Sequence, residues 1–232
     1  IVPNWRNVAR LSDIDFDAQV RADGIDILVD LSGHTQRGLP PVFAMKPAPI
    51  EVTWLGYSGT TGLPTIDYIL ADEVVAPGGE EPLFAEKVWR LPDSYLCYTP
   101  PAGVADVAPL PALRNGHITV GSFNHLNKVN DRTIALWARL LDALPAAKLA
   151  LKSVVLRRTG AGDELLARFA AAGIGPERLR LLGYEADARD HLAAYREVDI
   201  GLDPFPYNGT TTTCEALLMG VPVLTLKGDR FI

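Results

Sequence analysis

From His117 onward, short leucine-rich or β-branched segments alternate with longer amphipathic ones, and this rhythm narrows the possible folds more than any other feature. "HITVGSF" reads as a strand, residues 124–130 as a loop, and Asp131 to Leu144, with Leu, Ile and Trp at helical spacing, as a helix. "KLALKSV" is the next strand and "ELLARFAAAG" the next helix, ended by a glycine. "RLRLLGY" (strand), Arg189 to Tyr195 (helix) and "VDIGLD" (strand) follow. "PFPYNGTTTTCEALLMGVPVLTL", from Pro204 to Leu226, supplies a last loop, helix and strand. Strand and helix in such alternation predict an α/β fold with a doubly wound parallel sheet. Ligands of such sheets bind beyond the carboxyl ends of the strands.

The first half has the same character. Asp13 to Ala22 reads as a helix, and "IDILVDLSG" (Ile25 to Gly33) as a strand apolar enough to be buried on both faces. "EVTWLGYSG", "IDYILAD" and "KVWRLP" are three further strand candidates. "TPPAGVADVAPLPALRNG" has the Pro, Ala and Gly content of a linker. We therefore expect one lobe over 1–105, a linker over 106–116 and a second lobe over 117–232. A net charge of −6 argues against a broad nucleic-acid or anionic-membrane surface. Two distant cysteines, Cys97 and Cys214, suggest a reducing, cytoplasmic setting without a disulfide framework. No apolar run is long enough to span a membrane. Both ends read as cuts through a longer protein.

Four threonines precede the last helix, although threonine is a poor helix former. Thr212-x-x-Glu215 fits a capping box, which explains two residues. Asn208, Gly209, Thr210, Thr211 and Thr213 remain. Helix N-termini bind phosphate through free amides and the positive end of the dipole, so the loop and first turn also fit an anion site. Glu215 is then free to accept from ribose hydroxyls. In "FNHLNK", His125 and Lys128 stand after the first strand of the second lobe, where Lys128 suits a diphosphate. "WLGYSGTTG" and "SGHTQRG" end strands in glycine-containing loops. Asp13-x-Asp15-x-Asp17 lacks the glycine of a calcium loop and opens a helix, so no metal is expected. Asn208-Gly209-Thr210 matches a glycosylation sequon without any sign of secretion, and "GAGDE" lacks dinucleotide-binding spacing.

"DLSGHT", "KPAPIEVTWLGYSGTTGLPTIDYILAD", "VGSFNHLNKVND" and "YEADARDHLAAYREVDIGLDPFPYNGTTTTCEALLMGVPVLTLKGDRF" together resemble the catalytic region of the protein O-GlcNAc transferase family. The resemblance covers nearly the whole chain. It implies a GT-B fold, with two Rossmann-like lobes and the active site in the cleft between them. It also implies UDP-GlcNAc as donor, a protein Ser or Thr hydroxyl as acceptor, inversion at the sugar carbon, and no metal or other cofactor. By motif position, Lys128 matches the lysine that stabilises the departing diphosphate, and His125 stands in place of a glutamine near it. Thr211 and Thr212 match diphosphate-binding threonines, and Thr210 stands where some members have histidine. Glu215 replaces a ribose-binding aspartate, His191 matches a histidine near the uracil, and Leu55 and Gly56 match backbone that contacts the sugar and its acetamido group. The family's histidine-bearing D-F-x-x-H segment and its tetratricopeptide repeats are expected upstream in a parent chain, of which these residues form part of the catalytic region. Alternatives are a related enzyme using GDP-fucose or UDP-glucose, and a non-catalytic nucleotide-sugar-binding module.

Overall fold

The computed structural model describes residues 4–35 and 38–228. Part of the loop at 33–38 and of the closing "GDRF" therefore lies outside the described residues. The chain divides into two compact units, one reaching Cys97 and the other starting at Tyr98.

The first unit carries α1 (Asp13–Ala22), β1 (Ile27–Asp30), α2 (Pro40–Ala44), β2 (Ile50–Thr53), β3 (Tyr68–Ala71) and β4 (Lys87–Arg90). Its four strands are parallel, in the order β1-β2-β3-β4. Ser12 caps α1 by accepting from the Asp15 amide, and Asp17 holds Arg21 one turn along. The Ser12 hydroxyl also donates to the Asp15 carboxylate at 2.6 Å, so two of the three carboxylates that resemble a metal motif have protein partners. The expected burial of the first strand on both faces does not hold. Among the described residues β1 pairs with β2 alone, and Ile27 (56%) and Val29 (42%), which share one face of the strand, are exposed, while Asp30 on the other face is buried. Within the sheet, Glu51 of β2 is fully buried. Buried Asp72 follows β3 and accepts the amides of Val74, Val75 and Tyr95, fixing the turn that leaves that strand.

The second unit holds α3 (Pro111–Asn115), β5 (Thr119–Ser122), α4 (Asp131–Ala143), β6 (Lys148–Lys152), α5 (Ala161–Ala171), β7 (Leu179–Leu182), α6 (Ala188–Ala193), β8 (Ile200–Leu202), α7 (Thr211–Leu218) and β9 (Val223–Leu224). Its five strands are parallel in the order β7-β6-β5-β8-β9. Successive side chains of a strand face opposite ways. Leu149 and Leu151 of β6 accordingly join Ile134, Trp137 and Leu141 of α4 and Leu165 and Phe169 of α5 on one face. Ala150 joins Leu192, Tyr195, Ala216 and Met219 on the other. Helices thus cover both faces, as a doubly wound sheet requires.

Residues 106–116, expected to be a linker, are held on this second unit. Buried Asp199 accepts the Ala112 amide and the Thr119 amide, each at 2.8 Å. Arg196 donates to the Asp106 carbonyl at 3.0 Å. Strand order reverses at β5, which lies between β6 and β8. Loops leaving β5 and β8 therefore part at the switch point, where such sheets bind ligands.

Candidate functional site

At that switch point, the 3-10 turn Leu126–Lys128 after β5 meets the loop after β8. Lys128 Nζ donates to the Asn208 carbonyl at 2.9 Å and stands 4.1 Å from the centre of the Tyr207 ring. Burial pushes the Lys128 pKa down, and Asp203 opposes it. An ammonium has three N–H donors, so one carbonyl leaves two for ligand oxygens. His125 is exposed on the same turn, its Nδ1 accepting from the Asn127 amide at 3.3 Å.

The expected capping box does not form. α7 begins at Thr211, and Thr210 at its N-cap makes no side-chain cap bond. Thr212 lies inside the helix and donates its hydroxyl to Asn124 Oδ1 at 3.1 Å, while Glu215 is engaged by His191 and Tyr195. Contacts with residues distant in the chain have taken both members of the box. The Thr213 and Cys214 amides reach the Thr210 carbonyl. Those of Thr211 and Thr212 have no acceptor among the described residues, so α7 opens with two N–H groups available to an anion.

Gly209 does not offer its amide outward, because Asp203 Oδ1 accepts it at 3.1 Å. Its need for glycine is steric: a Cβ there would stand 2.5 Å from Thr212 Oγ1 and 2.9 Å from Thr213 Oγ1. Asn208 bonds Thr225 through its amide and Lys128 through its carbonyl, which ties the loop to the lysine. Thr213 Oγ1 is buried and has no hydrogen-bond partner among the described residues.

His191 of α6 bridges two charged side chains. Lys152, at the carboxyl end of β6 and 4% exposed, lies with Nζ 2.9 Å from His191 Nδ1. His191 Nε2 is 3.0 Å from Glu215 Oε2. Tyr195 donates its hydroxyl to the Thr212 carbonyl at 3.0 Å and packs on Phe123 with ring centres 4.3 Å apart. Burial, with Glu215 adding to it, pushes the Tyr195 pKa far up. Burial pushes Lys152 down, against Glu185 and Glu215. Lys152, Arg180, Glu185 and Asp190 line a cavity of about 350 Å³ beside this cluster. Sequence reading missed Lys152, Asn124, Asp203 and Tyr195. The one local signal was a lysine closing the otherwise apolar end of "KLALK".

Leu55 and Gly56 belong to the first unit. Leu55 has φ 69°, a left-handed conformation that a branched side chain adopts only when its surroundings impose it. A Cβ on Gly56 would run into the Leu31 carbonyl, so only glycine lets the loop pass β1 so closely. Glu86, 4% exposed, anchors the glycine-rich loop by accepting from the Thr61 amide at 2.7 Å and from the Thr60 and Thr61 hydroxyls. His34 Nε2 lies 2.8 Å from the Thr61 carbonyl. Glu86→Ala leaves these donors unsatisfied and is expected to cost about 3 kcal/mol. Chemical denaturation would measure it, and a loss under about 1 kcal/mol would remove Glu86 as the anchor.

Among the described residues, no group of three or more His, Cys, Asp or Glu is placed to hold a metal ion, and no helix is long and apolar enough to cross a membrane.

Comparison with known proteins agrees with this architecture. A curated relative from Petunia hybrida, the probable UDP-N-acetylglucosamine--peptide N-acetylglucosaminyltransferase SPINDLY, is 42% identical over 225 residues, 97% of this chain and 24% of its own length. The chain thus spans about a quarter of the curated relatives it matches. A solved lysine-to-methionine mutant of the Thermobaculum terrenum O-GlcNAc transferase superposes with a TM-score of 0.90 at 40% identity, covering 99% of this chain and 43% of that one. Anabaena HepE in complex with UDP shares the fold, at TM-score 0.56 and 14% identity over 98% of this chain and 72% of its own. Two α/β units with parallel sheets are the GT-B type. The model of glycosyl transferase family 41 matches residues 10–99 and 110–232, and the chain belongs to that family.

Proposed function

We propose that the protein containing this chain transfers N-acetylglucosamine from UDP-GlcNAc to Ser or Thr hydroxyls of proteins, with inversion and without a metal. One observation carries the reading: the Lys128 ammonium and the unpaired amides at the start of α7 lie on the two loops that part at the switch point of a parallel sheet. Cationic and dipolar donors in that position suit a diphosphate. The Petunia relative is named as a probable UDP-N-acetylglucosamine--peptide N-acetylglucosaminyltransferase and the Thermobaculum one as an O-GlcNAc transferase, which supports this reading.

On this reading Lys128 neutralises the leaving diphosphate, with Thr210, Thr211, Thr212 and His125 beside it. Asn208 and Gly209 shape the loop. Glu215 accepts from the ribose, and His191 lies against the base. The acceptor oxygen forms its bond to the anomeric carbon as the bond to the β-phosphate oxygen breaks. The acceptor's proton passes to a base, and UDP carries away the electron pair. The site's contribution is mainly electrostatic, because charge grows on the leaving phosphate as that bond opens.

Calorimetric titration with UDP, GDP and UDP-GlcNAc tests the donor. UDP and UDP-GlcNAc are expected to bind at least about tenfold more tightly than GDP, a gap of about 1.4 kcal/mol. Preference for GDP would overturn the donor assignment and point to a GDP-sugar enzyme. Binding of UDP-GlcNAc without transfer to any protein by the full-length enzyme would instead indicate a nucleotide-sugar-binding module.

A further inference from the structure

We propose that Lys152 is a positioning residue: it supplies the cation of a Lys152–His191–Glu215 relay, holds His191 as the neutral Nε2–H tautomer, and so keeps Glu215 a full carboxylate for ligand hydroxyls. The proposal rests on the reading of Glu215 and His191 as nucleotide-binding groups.

Donor logic sets the direction. An ammonium can only donate, so His191 Nδ1, 2.9 Å from Lys152 Nζ, must accept. The ring's one remaining proton is then on Nε2, which donates to Glu215 Oε2 at 3.0 Å. The reverse arrangement needs a lysine to surrender its proton to a far less basic imidazole. Burial lowers the Lys152 pKa, and the carboxylates of Glu185 and Glu215 oppose that shift. Other groups facing the relay are the Tyr195 hydroxyl, 3.5 Å from Glu215 Oε2, and Tyr98, whose pKa is raised by burial and then by Glu215. Phe123 contributes an apolar ring, 6.2 Å from that of His191.

Placement of the positive charge matters. A cationic His191 would form a direct ion pair with Glu215 and compete with any hydroxyl for it. With the cation one residue further back, the His191–Glu215 bond has a neutral donor. Glu215 then keeps its negative charge and its second oxygen. The relay also fixes the plane of the imidazole, since both ring nitrogens are engaged by groups on β6 and α7.

Nitrogen-15 histidine spectra of the intact protein, with the signal assigned through His191→Gln, test this directly. In the wild type at pH 7, Nδ1 of His191 is expected in the unprotonated range and Nε2 in the protonated range. In Lys152→Met nothing bars Nδ1 from carrying a proton, so a protonated Nδ1 signal is expected, and the affinity for UDP falls about tenfold, the worth of a charge-assisted hydrogen bond. Lys152→Arg, which can still donate, restores the tautomer and brings affinity back to within about threefold of wild type. A merely structural lysine moves stability without moving the proton on Nδ1. A wild-type His191 protonated on Nδ1, or an unchanged signal in a folded Lys152→Met, overturns the relay. The wild-type spectrum decides the point even if Lys152→Met does not fold. If Glu215→Ala also leaves UDP affinity unchanged, the nucleotide-binding reading fails, while the tautomer signal still decides the relay.

Discussion

Lys128→Met is expected to lower transfer to a protein acceptor by about 10²–10³-fold, while weakening UDP binding by less than about tenfold. Methionine keeps most of the length and the apolar stem and removes only the charge. On the proposed reading the start of α7 also holds the ground-state diphosphate, so its affinity is expected to suffer less. Charge on the β-phosphate grows as the bond to the sugar opens, and at that moment the missing ammonium costs most. Lys128 is half-buried and desolvated, which strengthens its attraction for that charge relative to a lysine in water. Single-turnover transfer by the full-length protein, beside calorimetry with UDP, separates the two effects. Near-normal transfer would show that the leaving group is stabilised elsewhere.

The second large effect lies far from the chemistry. Glu51 of β2 is 0% exposed, and among the described residues neither carboxylate oxygen has a partner in hydrogen-bond geometry. Its backbone is well satisfied, donating to Asp67 Oδ2 at 2.7 Å and accepting from the Asp67 amide at 2.9 Å. Burial raises its pKa to about 7; Lys46 and the nearby Ala48 amide offset part of that, and Asp67 adds to it. In the unfolded chain the group ionises near 4.5. Between these values the folded protein holds a proton that the unfolded one has lost, so stability falls as pH rises from about 4.5 to about 7. Above that window the loss is complete, at about 3 kcal/mol. Glu51→Gln removes the ionisation and keeps the shape. It is expected to leave stability unchanged at pH 4.5, to raise it by about 3 kcal/mol at pH 8, and to lift the melting temperature there by roughly 5–10 °C. Melting curves of wild type and variant across pH 4.5–8 check this. Parallel curves would mean that Glu51 stays ionised in the fold and that water or a cation reaches it.

Local pattern carried most of the secondary structure. Asp13–Ala22 folds as the helix read from its sequence, and every strand read in the second half is present, somewhat shorter than its apolar run. Alternation of the two periods also made the parallel sheets legible, because a strand–helix–strand unit has almost no other way to bury both elements. Lys128, His191 and Glu215 could be named from motif position. Their surroundings could not.

Three features depended on tertiary structure. β1 is as apolar as a central strand, yet one of its faces, with Ile27 and Val29, is exposed, and what covers a face is a property of the packing around a strand rather than of the strand. Thr212-x-x-Glu215 has the spacing of a capping box, yet Asn124, 88 residues away, takes the hydroxyl, and His191, 24 residues away, takes the carboxylate. Capping contacts are weak enough, about 1 kcal/mol, for better-placed partners to outcompete them. Lys152 looked like the end of an apolar strand until β6 set its ammonium against His191. Sequence alone determined which residue types stand at the carboxyl ends of the strands, because periodicity and turn chemistry are local. Which of them meet was decided by the β7-β6-β5-β8-β9 order, which brings loops far apart in the chain to one sheet edge.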